Sequence, residues 1–246
     1  MAEYDRRYAT AVRGGAGARV EAIDQGLRAF MLGVYNNMAL GLAVTGLVAY
    51  GAFYLAATNP AVAQTLYVSP LKWVIMLAPL AFVFGLSAMV HRMQPATARL
   101  VFLAFAAVMG LSMSSIFLVF TGTSIARTFF ITAASFGALS LWGYTTKRDL
   151  SAWGSFLFMG VIGLIIAMIV NLFLGSTAVQ FAISVIGVLV FAGLTAYDTQ
   201  RIKHTYDVVA GDAAAAGRAS IIGALQLYLD FINLFMFLLQ FMGNRE

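Results

Sequence analysis

Seven stretches of this chain are apolar for long enough to cross a bilayer, and that leaves few folds open to it. A transmembrane helix needs roughly 17 to 25 mostly apolar residues. Runs of that kind fall at 30–55, 71–90, 100–120, 128–144, 153–174, 179–197 and 221–242. The run at 128–144 is the shortest and is dotted with Thr and Ser; without it the C-terminus would lie on the opposite side of the membrane. Residues are 61% hydrophobic and only 10% charged, and the charges crowd into a few short segments. The fold class that follows is an all-α membrane protein with seven transmembrane helices. A tail at 1–28 precedes a transmembrane domain at 29–246, and no stretch has the makings of a soluble domain.

Basic residues orient the chain, because loops on the cytoplasmic side carry the excess of Lys and Arg. Arg6, Arg7, Arg13, Arg19, Arg28, Arg92, Arg99, Lys147, Arg148, Arg201, Lys203 and Arg218 fall on one side, against Lys72, Arg127 and Arg245 on the other. The bias puts the N-terminus in the cytoplasm and, with seven spans, the C-terminus outside. The segment before residue 30 mixes charges of both signs and has no apolar core, so it reads as a mobile cytoplasmic arm touching anionic lipid rather than a cleaved signal peptide. His91, next to Arg92, reads as an interfacial residue. Short loops and the lack of retention signals favour a bacterial inner membrane. The net charge of +5 is mostly this same bias, and no nucleic-acid module is visible.

Several chemistries drop out. With no cysteine there are no thiol nucleophiles, iron–sulfur clusters or cysteine zinc sites. A retinal protein would need a lysine in its last helix, but the lysines are Lys72, Lys147 and Lys203. Phosphate-binding glycine loops and paired metal histidines are missing too, and no inverted repeat of the transporter kind stands out. Glycines such as Gly33, Gly41, Gly46, Gly160 and Gly163 read as points of close helix approach. The longest connection, 201–220, contains VVAGDAAAAGRAS and reads as a loop without a core of its own.

Polar residues inside the spans carry the chemistry. In the last span Gln226, Asp230, Asn233 and Gln240 share one helical stripe, and in the sixth Ser184, Gly187, Thr195 and Asp198 do so more weakly. Ser184, Gln226 and Asn233 read first as glue between helices, with Gln226 and Asn233 lining any ion path past Asp230. The aspartates need more explanation, since an Asp at the membrane midplane costs roughly 2.5–3.5 kcal/mol and an amide would serve as glue. Counting about 1.5 Å per residue from the ends of the apolar runs puts Asp198 roughly 5 Å and Asp230 roughly 12 Å below the cytoplasmic boundary, which leaves their contact open. If the carboxyls meet, they share a proton and titrate as a unit; ionised, they are hard oxygen ligands for calcium. Arg92, at the same level as Asp198, could instead bridge to it and latch that end shut.

AGLTAYDTQRIK at 192–203 and ALQLYLDFINLFMFLLQFMG at 224–243 resemble the C-terminal signature of the Bax inhibitor motif transmembrane family. MLGVYNNMALGLAVTGLVAY at 31–50 and LWGYTTKRDLSAWG at 141–154 resemble it too, so the likeness covers nearly the whole chain. The resemblance implies a seventh helix at the centre of the other six and a proton-sensitive calcium leak governed by Asp198 and Asp230, with Arg92 matching an arginine that pairs with the first aspartate in the closed state. The loop between the aspartates looks longer than is usual in the family. Two kinds of function follow as expectations. One is a pH-sensitive calcium leak channel, with calcium and protons as its ions and no resident cofactor. The other is a regulatory membrane protein that restrains a membrane-embedded ATP-dependent protease, or other stress or cell-death machinery, without transport. An enzyme is not expected: an intramembrane aspartyl protease would show Gly-x-Gly-Asp where this chain has Leu227, Tyr228, Leu229 and Asp230.

Overall fold

The computed structural model describes residues 2–89 and 92–244, with side chains from residue 25 onward apart from 84 and 86–88. Eight α-helices follow in order: α1 Ala2–Thr58, α2 Pro60–Ala63, α3 Leu71–Met89, α4 Pro95–Met113, α5 Gly122–Thr145, α6 Ser151–Leu174, α7 Thr177–Val209 and α8 Ala213–Met242. A π-turn, Gln64–Val68, continues α2, and a 3₁₀ turn, Ser114–Leu118, continues α4. There is no strand among these elements.

Six helical segments are long and apolar enough to cross a membrane, beginning with Gln25–Thr58 of α1. The count rises to seven if the bent pair Pro60–Val68 and Leu71–Val83, at 59° to each other, is taken as one broken span. Its break falls at Ser69, which is extended at ψ 163°, as expected of the residue that precedes a proline. The backbone of the N-terminal tail continues α1 as helix; the side chains of Arg6, Arg7, Arg13 and Arg19, with His91 and Arg245, lie outside the described residues.

Local chemistry sets most boundaries. Asn59 caps α2 by accepting from the Ala61 amide at 3.0 Å, with Pro60 at the first helical position. Thr121 and Ser176 cap α5 and α7 in the same way. Gly175 ends α6 in the left-handed region, φ 59°, where a residue without Cβ fits best.

The expected loop at 201–220 is overturned: α7 runs to Val209 and α8 starts at Ala213, leaving a turn of three residues, 210–212. Hydropathy registers the part of a helix that lies in lipid, and a helix need not stop where lipid does. The alanines of this stretch are strong helix formers, and Asp212 starts the second helix by accepting from the amides of Ala214 at 2.8 Å and Ala215 at 3.0 Å. Those bonds hold the exposed Asp212 carboxyl below the usual aspartate range.

α8 is the central helix. It packs against α1, α4, α5 and α7, while α3 lies on α4 and α6 lies on α7. Of the six expected around it, four form its direct ring. Leu227, Tyr228, Leu234 and Leu239 are fully buried, and Phe102 and Phe105 of α4 meet the Tyr228 ring edge-on at 5.7 and 5.6 Å. Gly41 faces Phe102, Gly160 faces Val190 and Gly33 faces Ser220, all at close approach. Gly46 and Gly163 are different: a Cβ there would meet nothing within 4 Å.

Candidate functional site

Asp230 sits on the buried side of α8, 5% exposed, and Asp198 is partly buried on α7, the helix with which α8 packs most extensively. Their carboxyl groups are within hydrogen-bonding reach of each other. Side chains lean toward the N-terminus of their own helix, so on two helices joined head to tail by a tight turn the carboxyls lean toward each other and close part of the difference in depth expected from the apolar runs. Oδ2 of Asp230 is buried and has no hydrogen-bond donor. Two ionised carboxylates offer only acceptors, so the contact becomes a hydrogen bond when one of them carries a proton. The cation acting on Asp198 is Arg201, one helical turn further along α7.

The other expected site residues separate. Arg92 is exposed in the short bend between α3 and α4. Asn233 is partly buried and donates to the Leu229 carbonyl of its own helix at 2.8 Å, and so spends its amide locally. Gln226 lines a cavity of about 330 Å³ between α7 and the start of α8, together with Arg201, Thr205 and Arg218. Gln240, at the far end of the stripe, accepts from Gln180 Nε2 at 2.7 Å; Gln180 in turn accepts from Asn171 at 3.2 Å. That end of the stripe is glue. Among the described residues no group of three or more His, Cys, Asp or Glu comes together to hold a metal.

Two hydrogen-bond chains were not legible beforehand. Thr45 of α1 donates to the Ala106 carbonyl of α4 at 2.9 Å, so the fully buried Tyr228 hydroxyl donates to Thr45 at 2.7 Å. Nearer the acidic pair, Thr199 donates to the Thr195 carbonyl at 2.7 Å. Ser140 of α5 must then donate to Thr199 at 2.9 Å, and Tyr35 of α1 to Ser140 at 2.7 Å. Three helices are thus tied together beside Asp198. The four-residue spacing of Thr195 and Thr199 was the available signal; Tyr35 and Ser140 gave none, lying 105 residues apart.

The cytoplasmic part of α7 also holds the α5–α6 connection. Gln200 accepts from the Leu150 amide at 2.9 Å and donates to the Arg148 carbonyl at 2.8 Å. Lys203 donates to the Tyr144 carbonyl at 2.9 Å and lies 5.0 Å over the Tyr144 ring. The TQRIK and TTKRDL segments are therefore partners across the fold.

Residues 27–246 match the family model described as inhibitor of apoptosis-promoting Bax1. The chain is 48% identical to an uncharacterised protein of Caulobacter vibrioides over the full length of both. It is 48% identical to protein RP147 of Rickettsia prowazekii, covering 92% of this chain and 94% of that one. It is 46% identical to inner membrane protein YbhL of Escherichia coli K12, covering 90% and 94%. With its six to seven candidate spans and this similarity over nearly its whole length, the chain belongs to the Bax inhibitor-1 family and is a multi-pass inner membrane protein.

Proposed function

We propose that this protein is a pH-sensitive calcium leak channel, conducting rather than catalysing, whose path passes between α7 and α8 at Asp198 and Asp230. One observation carries the reading: Asp230 is a buried carboxyl on the central helix, within reach of a second carboxyl and with one oxygen lacking a donor. Structural glue is available in the same molecule from amides, as between Gln180 and Gln240, so an acidic side chain in this position calls for another role.

Two carboxyls in a poorly solvated site share a proton and titrate together. Ionised, the same oxygens attract calcium, which takes six to eight oxygen ligands. The pair supplies four at most, so calcium would be held loosely, with Gln226 at the cytoplasmic side and water completing its shell; loose coordination suits passage. Protons and calcium compete for the same oxygens. Arg92 is the proposed latch, pairing with Asp198 when α3 swings toward α7, whereas Arg201 is the cation beside Asp198 in the present arrangement.

Full-length protein in liposomes loaded with a calcium-sensitive dye tests the reading. Wild type is expected to leak calcium in a pH-dependent way, and Asp230→Asn and Asp198→Asn to flatten that dependence while eluting as monodisperse protein. Identical leak from wild type and Asp230→Asn at every pH would end it.

A further inference from the structure

α1 and α5 both pack on α8, yet among the described residues they form no substantial interface with each other. Between them runs a cleft open toward lipid. Its first half, about 570 Å³, is lined by Arg28, Met31, Tyr35, Phe136, Gly137 and Tyr144 among others. Its second half, about 830 Å³, continues from Ala39 to Tyr50 along α1 and is floored by Phe231, Ile232 and Phe235 of α8. The halves meet at Ala39. From Arg28 to Ala39 the helix rises about 16 Å, close to half of a hydrocarbon core about 30 Å thick. The first half of the cleft thus has the length of one leaflet.

Three features identify what fits there. Small residues keep the walls apart: a Cβ on Gly137 of α5 would meet nothing within 4 Å, and the same holds for Gly46 and Gly122 in the second half. The groove is apolar along its length, walled by Met31, Phe136 and Gly137 among others, and a flexible acyl chain adapts to such a space. The rim is basic. Arg28 lines it, and Lys203 is held against Tyr144, another lining residue, by the 2.9 Å bond to its carbonyl. By the charge bias of the chain this rim lies at the cytoplasmic face, where a phosphodiester can take the guanidinium's donors.

We propose that the cytoplasmic half of the α1–α5 cleft binds one anionic phospholipid of that leaflet, its acyl chain lying between the two helices and its phosphate at Arg28 and Lys203. The chain would lie against Tyr35, the outer end of the Tyr35–Ser140–Thr199 hydrogen-bond chain, so occupancy reports directly to the turn of α7 that carries Asp198. The site does not depend on the leak reading, and its test uses no transport measurement.

Full-length protein is purified in mild detergent, exposed to an equimolar mixture of phosphatidylglycerol and phosphatidylethanolamine, re-isolated, and its bound lipid is extracted and quantified. Wild type is expected to retain one phosphatidylglycerol per chain in preference to phosphatidylethanolamine. Gly137→Leu, which fills open space, should lose at least about 90% of it. Arg28→Gln, at an exposed position, should keep bound lipid but lower the preference about five-fold, the contribution of one basic residue at an anionic surface. Equal retention of the two lipids by wild type overturns the proposal, as does Arg28→Gln with unchanged preference. Gly137→Leu that changes oligomeric state but not bound lipid would assign the cleft to a second copy of the chain and overturn it too.

Discussion

α6 and α8 invert the rule that holds in water. α6 has the highest mean hydropathy of the candidate spans, 2.7, and its apolar window is only 11% buried inside the protein. α8 has a mean hydropathy of 1.8 and is 67% buried. α6 turns Phe156, Phe158, Leu172 and Phe173 outward; α8 turns Asp230 and the Tyr228 hydroxyl inward. Lipid tails are as apolar as leucine, so apolarity does not draw a helix to the centre. Polar atoms do, because hydrocarbon offers them no hydrogen bonds. The central helix is therefore recognised by what it must hide from lipid.

Glycine substitutions break the comparison most forcefully. A Cβ at Gly143 of α5 would meet the backbone of Ala196 on α7, with its Cα 2.9 Å away, and backbone cannot rotate aside. Gly143→Leu should cost more than about 3 kcal/mol and leave no monodisperse protein on size exclusion, whereas Gly163→Leu on α6, facing open space, should shift the thermal midpoint by no more than the equivalent of about 0.5 kcal/mol. Full stability of both variants would mean that α5 and α7 are not in close contact.

Tyr228→Phe removes the hydroxyl that Thr45 accepts from and leaves the Thr45 bond to Ala106 intact. The expected loss is about 1 kcal/mol, read as a lower thermal midpoint. Gln240→Leu leaves Gln180 Nε2 without its acceptor and should cost about 0.6 kcal/mol, the average for a polar contact between membrane helices. A larger loss from Gln240→Leu than from Tyr228→Phe would shift the weight of the core to the end distant from the acidic pair.

The smallest effect lies outside the membrane. Asp212 has its carboxyl held below the ordinary aspartate value by the amides it caps, so its stabilisation is present at neutral pH and disappears as pH falls through the folded-state value. Asp212→Ala should be slightly less stable than wild type near pH 7 and indistinguishable from it in strong acid, by thermal unfolding at the two pH values. A constant difference at both would remove the cap from the account of the turn.

Much of the architecture could be read from the chain because hydropathy and charge bias act on whole segments. The stretch at 128–144, the least apolar of the seven, is nonetheless part of a span: Thr128, Thr132 and Ser140 are all buried and face inward, so the residues that weakened its hydropathy are those that belong inside. The stripes on α7 and α8 were legible from helical period. How the two helices are rotated against each other was not, and that rotation decides whether Asp198 reaches Asp230. The turn at 210–212 leaves no mark in the sequence, because alanine-rich helix outside lipid has no hydropathy signature. The role of Gln200 was hidden for another reason, its partners lying about fifty residues away on a loop with no pattern of its own.

The brevity of that turn has a mechanical consequence. Three residues stretched to the full span about 10 Å, roughly the distance between the axes of packed helices, so α7 and α8 are clamped at their cytoplasmic junction like the arms of tongs. They can splay at the opposite tips or twist about their long axes, but they cannot part at the hinge. Widening on the cytoplasmic side must come from the staves outside the clamp, among which α3, whose main long-helix neighbour among the described residues is α4, has little to detach from.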